Sequence, residues 1–247
     1  MEATITHIQD LITENEIDKA LKKLRTIFSI SESELVNDVI LISGQFKKLK
    51  SDKRKGIIDS AEENLRHNRI LHSVLSLLDE MKADPEQFAA YTQTQNKLDE
   101  SVKVRGKEEL PYWIKDALFE RITYVKEKNV LVKALWVDDN PHYNINETEV
   151  LSSFGLVVDT ALSSDEALQM LGNEKYDLML SDMRRGEMPD EGIKFHRSLL
   201  TKGIDIPTIF YAAGFDRRLG VPPYAFGMTN MPNELIHLVL DVIERKY

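Results

Sequence analysis

Apolar residues in the first third of the chain recur at helical spacing. Ile5, Ile8 and Ile12 mark a short first helix. Ile17, Ala20, Leu21, Leu24, Ile27 and Phe28 form a second stripe. Leu35, Val39, Ile42, Phe46 and Leu49 form a third. Gly56 breaks the pattern, and a fourth stripe follows with Ile70, Leu71, Val74, Leu77, Leu78 and Met81. Ser31 with Glu34, and Ser60 with Glu63, read as capping boxes that open the third and fourth helices. Four amphipathic helices with short joints predict a small bundle over residues 1–81. Residues 82–110 are polar without a sustained stripe and predict a linker. Residues 111–128 begin with Pro111, suited to a first helical position, and predict a connecting helix, so 82–128 joins two domains.

From residue 129 the pattern alternates between strand-like and helix-like segments. Apolar runs at 130–137, 156–161, 176–181, 206–212 and 226–229 read as five strands. Between them lie helical patterns at 144–154, ended by Gly155, and from the Ser163/Glu166 capping box to Leu171, with Gly172 as its cap. Further helices are expected over 192–201 and from Pro232 onward. Gly220, Pro222 and Pro223 leave little room for a full helix between the fourth and fifth strands. This alternation predicts a doubly wound, five-stranded parallel sheet over 129–247. The chain is therefore expected to be a multidomain α plus α/β protein.

Composition narrows the chemistry. The net charge of −9 makes the chain a poor general ligand for nucleic acid, whose phosphates need surplus cation. With no cysteine, disulfides, thiolate catalysis and zinc–thiolate sites are excluded. The acidic, amphipathic N-terminus does not read as a signal peptide, and no apolar run reaches the roughly 20 residues of a membrane span, so a cytoplasmic location is expected. There is no HExxH. His67 and His72 do not share a helix face, and His142 reads as a solvated loop residue. Neither GxGxxG nor GxxxxGK[ST] is present. Trp113 and Trp136 read as core.

Three aspartates carry the most chemistry. Asp138 and Asp139 close the first strand, and Asp182 closes the third. The carboxyl ends of parallel strands share the edge where α/β sheets bind ligands, so the three carboxylates are expected to converge there. Such a hard-oxygen pocket suits Mg²⁺ and leaves one carboxylate able to accept a phosphoryl group.

On these residues the C-terminal half resembles a response-regulator receiver domain. LWVDDN matches its acidic first-strand end and LMLSDM its phosphoacceptor strand. The resemblance implies Asp182 as phosphoacceptor, with Asp138 and Asp139 helping to hold the metal. It also exposes departures. The family's Thr or Ser at the end of strand four falls on Ala212, which has no hydroxyl. The family's Lys at the end of strand five, usually before Pro, falls on Asn230, which carries no charge. Arg184 and Arg185 could replace that cation, or form a solvated loop pair; surface statistics favour the latter. Labelling by small phosphodonors is accordingly expected to be poor.

In the N-terminal half, Lys47, Lys48, Lys50, Lys53, Arg54 and Lys55 form a basic run. It reads as a solvated helix end or as a docking edge for an acidic partner. Residues 4–82 resemble the helical effector-associated domains of bacterial conflict systems. That resemblance implies a partner with a similar helical domain, on an NTPase or effector protein, and leaves room for self-association. The expected function is a non-enzymatic signalling adaptor. The rival readings are an active response regulator phosphorylated on Asp182 by a histidine kinase, and an Mg²⁺-dependent phosphatase-like enzyme.

Overall fold

The structure is a computed structural model describing residues 1–106, 108, 110–214 and 220–247. It divides into two compact units, residues 1–93 and 94–247.

The first unit is helical. It contains α1 (Glu2–Thr13), α2 (Ile17–Ile30), α3 (Val36–Arg54) and α4 (Ser60–Ala83), followed by a single 3-10 turn, Pro85–Phe88. The predicted stripes form its core: Ile8, Ala20, Leu24, Ile27, Phe28, Val39, Val74 and Met81 are all sealed from solvent. Phe88 completes the core, its ring centroid 5.1 Å from that of Phe28. The caps differ from expectation. Ser31 ends α2 instead of opening α3, and α3 starts from Leu35 with no side-chain cap. For α4 the cap is not Ser60 but Asp59, whose Oδ1 accepts from the Glu62 amide at 2.8 Å.

The stretch expected to be a linker contains α5 (Ala89–Val104). Its buried residues Tyr91, Leu98 and Val102 do follow a helical stripe with Phe88, but Thr94 and Ser101 interrupt it with polar side chains that are themselves buried. The expected connecting helix is α6 (Tyr112–Glu127), with Pro111 just before its first turn. Trp113 is 70% exposed on that helix, so its assignment to the core was wrong.

The second unit holds β1 (Val132–Val137), β2 (Leu156–Ala161), β3 (Leu178–Ser181), β4 (Thr208–Tyr211) and β5 (Gly227–Thr229). All pair in parallel in the order β2-β1-β3-β4-β5, a doubly wound sheet with its switch point between β1 and β3. Helices α7 (Ile145–Ser152), α8 (Ser164–Asn173), α9 (Glu191–Thr201) and α10 (Pro232–Lys246) alternate with the strands. Among the described residues there is no helix between β4 and β5, where Gly220, Pro222 and Pro223 lie. One core layer contains Leu135, Val137, Ala161, Met179, Phe195 and Leu199. Half of the Ser163/Glu166 box forms: Ser163 Oγ accepts from the Glu166 amide at 3.1 Å, while the Glu166 carboxylate accepts from the Leu162 amide at 2.7 Å, one residue before the cap. Gly172 lies inside α8, not beyond its end. No described helix is long and apolar enough to cross a membrane.

Candidate functional site

The register of β1 against β3 pairs Val137 with Ser181, so the residues that follow each strand emerge side by side. Asp138, Asp139 and Asp182 thereby each bring one carboxylate oxygen within 4.8 Å of the others. They line a cleft of about 450 Å³ together with Arg105, Asn144, Arg184 and Tyr211.

Each carboxylate is held from behind. Asp138 is buried; its Oδ1 accepts from the Asn140 amide at 2.7 Å and its Oδ2 from Asn144 Nδ2 at 2.6 Å. Asp139 Oδ2 accepts from the Gly186 amide at 2.8 Å, and Asp182 Oδ1 from the Met183 amide at 2.7 Å. These contacts leave lone pairs available on an all-oxygen donor set, which fits a hard divalent cation. Partial burial and the neighbouring Asp138 push Asp182 from its ordinary range up to about 6, against the pull of two backbone amides. A divalent ion would relieve that penalty and hold the site through all three aspartates.

The loop after β3 is shaped by two residues. Gly192, in the first turn of α9, donates to Met183 O at 2.9 Å, and a Cβ there would lie 2.2 Å from Asp182 O. Arg185 is buried rather than solvated. Its Nη1 donates to Ser181 Oγ at 2.9 Å and Asp182 O at 3.1 Å, its Nη2 to Ser164 Oγ at 2.9 Å, and its guanidinium faces the Phe195 ring. Burial lowers its pKa despite the nearby acids. The solvated-pair reading therefore fails for Arg185, and holds for Arg184 only in that its side chain is exposed at the cleft.

Residues 134–229 match the family model of the response regulator receiver domain, and residues 3–82 that of effector-associated domain 11. The chain joins an effector-associated domain to a receiver domain. Among solved structures, a response regulator of Thermotoga maritima in complex with Mg²⁺ and BeF is 24% identical; the match covers 45% of this chain and 99% of that one, with a TM-score of 0.40. A chemotaxis response regulator of Vibrio cholerae is 20% identical, covering 46% and 99% with a TM-score of 0.40. The helical half is similar to part of a Roc-COR-CHAT protease of an unknown prokaryotic organism, 32% identical over 77 residues. That match takes in 31% of this chain but only 7% of the protease.

Within the receiver domain the three acids meet, but the two switch positions singled out from the sequence do not join them. Ala212 packs in an apolar cluster with Phe210 and Met228; its neighbour Ala213 lines the cleft. Asn230 is half-buried away from the cleft lining, and the residue directly before Pro232 is Met231. His142 is exposed as expected, though in a 3-10 turn (Pro141–Asn144) rather than a loop, and Trp136 is buried in β1.

The cleft also uses residues that sequence reasoning passed over. Tyr211 donates its hydroxyl to the buried Glu147 at 2.6 Å; burial first, and then that carboxylate, raise its pKa. Arg105 lies over the Tyr211 ring with its guanidinium carbon 4.3 Å from the centroid, and donates to Asn144 Oδ1 at 3.2 Å. The amphipathic pattern carries no signal for either contact, since each joins residues far apart in the chain. In the effector-associated domain the basic run is exposed on α3 and just beyond it. Lys50 pairs with Asp18 and Lys53 with Glu63, while Asp52 within the run pairs with Arg66 at 3.0 Å.

Proposed function

We propose that this chain is a non-enzymatic signalling adaptor of a bacterial defence or signalling system. Its effector-associated domain docks on a like helical domain of an NTPase or effector protein. Its receiver domain regulates that contact through a cleft that takes Mg²⁺ on Asp138, Asp139 and Asp182. The observation that supports the reading is the composition of the cleft: the three acids converge, while Ala212 and Asn230, the switch positions read from the sequence, carry neither the hydroxyl nor the lysine of the usual relay. A shift in a two-state equilibrium requires contacts that differ between the states. Without those two groups, any switching has to run through other side chains.

The test is association of the full chain with the helical domain of an effector or NTPase encoded beside it. Lys47 and Lys48 are exposed and have no carboxylate within ion-pair distance among the described residues, so reversing both to Glu removes no ion pair present in the structure. The double variant should bind more weakly, with a flatter salt dependence. Unchanged binding by that variant, lost instead on deleting 130–247, would move the contact to the receiver domain.

A second reading, an active response regulator, is supported by the intact acid triad. Acetyl phosphate with Mg²⁺, followed by intact-protein mass spectrometry, separates the two. The adaptor reading expects slow, incomplete labelling. Rapid stoichiometric labelling lost in Asp182→Asn would establish the response regulator instead.

A further inference from the structure

We propose that Arg105 is the counter-charge for a phosphate-class anion bound against the divalent ion in the acidic cleft. The inference rests on the reading of the cleft as an Mg²⁺ site, and adds the group that would recognise the ion's anionic co-ligand. Arg105 immediately follows α5 and lies outside the matched segment 134–229.

Charge requires such a group. Three carboxylates and one divalent ion leave the site negative, so an anion needs a cation close by and shielded from water. The described cationic side chains around the cleft are Arg184, Arg185 and Arg105. Arg185 does not line the cleft, and its two Nη groups are held by Ser181, Asp182 O and Ser164. Arg184 is exposed, where a single charge is screened by solvent.

Arg105 lines the cleft with a side chain only 14% exposed. Its guanidinium carbon lies 4.3 Å from the Tyr211 ring centroid, and Nη2 donates to Asn144. Its nearest carboxylate, Glu147, stands 3.9 Å away and already accepts the Tyr211 hydroxyl. The charge is thus held in place without a close ion pair, leaving guanidinium donors for a planar fork onto an oxyanion. Asn144 fixes its position relative to the metal ligands, because the same amide that accepts from Arg105 donates to Asp138. The cation that strand five fails to supply would therefore come from the segment N-terminal to the receiver domain.

The test is calorimetric titration of the full chain, first with Mg²⁺ and then, at saturating Mg²⁺, with beryllofluoride as a phosphoryl mimic. Arg105→Gln keeps a stem over Tyr211 and a donor for Asn144 but removes the charge. It should bind Mg²⁺ at least as tightly as wild type, and beryllofluoride at least about tenfold more weakly. Arg105→Lys should recover part of the loss, and Arg184→Gln should stay close to wild type. A merely structural role would weaken both ligands rather than beryllofluoride alone. Should Arg105→Gln lose the native near-UV circular dichroism, Arg105→Met replaces it. Wild-type beryllofluoride affinity in the charge-free variant, or a larger loss in Arg184→Gln, overturns the inference while leaving the metal reading standing. Absence of any Mg²⁺ response in wild type overturns both.

Discussion

Gly192 sits so close to Asp182 that a Cβ on it would meet the aspartate's carbonyl oxygen at 2.2 Å. The obstacle is backbone, which cannot step aside as a side chain would. The first turn of α9 is therefore seated directly on the loop that aims the third carboxylate, and its amide donor to Met183 O fixes that seat.

Gly192→Ala should consequently destabilise the receiver domain even though alanine is the better helix former. The overpacking outweighs the propensity gain, by a net of about 1–2 kcal/mol. Urea unfolding checks the sign, and divalent-ion affinity should fall with it. A variant as stable as wild type would mean that α9 does not press on the Asp182 loop.

Arg185 ties Ser164, at the start of α8, to Ser181 at the end of β3 and to the Asp182 carbonyl just beyond it. Removing it strands several buried polar partners, so Arg185→Ala should cost about 3 kcal/mol or more. Arg185→Lys should not rescue the loss, because an ammonium cannot span the two serines as the planar fork does. Chemical denaturation of the three proteins decides. Full rescue by Lys would reduce the role to charge alone.

The three acids and the alternation that brings them together were legible in the chain, because buried parallel strands are short apolar runs and Asp138, Asp139 and Asp182 stand at their ends. The bundle stripes were legible for the same reason. α5 was not: Thr94 and Ser101 sit buried among its apolar positions and blur the period. Arg185 was misread because an arginine in a polar loop looks solvated until Ser164 and Ser181 are seen around it. Arg105 was missed because its contacts with Tyr211 and Asn144 join residues far apart in the chain. Capping was legible where the box residues were the true helix starts, at Ser163 and Glu166, and misleading at Ser31, where the chain ends one helix before starting the next.

Asp182 makes the metal-free protein pH-sensitive. Its folded-state pKa is raised from 3.8 to about 6, first by burial and then by Asp138. The native state therefore holds the extra proton across that window, and stability from this group is present below it and lost as pH rises through it. Without divalent ions at pH 7, Asp182→Asn should melt a few degrees higher than wild type, and the gap should narrow at pH 5. Saturating Mg²⁺ at pH 7 should reverse the order, because only the aspartate protein gains the ligand's stabilisation. Thermal melts at the two pH values provide the check. A less stable Asp182→Asn protein at pH 7 without metal would contradict the strain assigned to the cleft.

The most direct measurement for the account as a whole is a Mg²⁺ titration followed by tryptophan fluorescence. The chain has two tryptophans; Trp113 is exposed and can be replaced by Phe, leaving Trp136 as reporter. Trp136 lies two residues before Asp138, with its ring edge-on to Tyr211 at 6.0 Å, so it senses the cleft from within β1. A saturable change at millimolar Mg²⁺ or below, absent from Asp182→Asn and weakened in Asp139→Asn, is the predicted result. No response in the parent protein, or an equal response in Asp182→Asn, would contradict the claim that Asp138, Asp139 and Asp182 together hold a divalent ion.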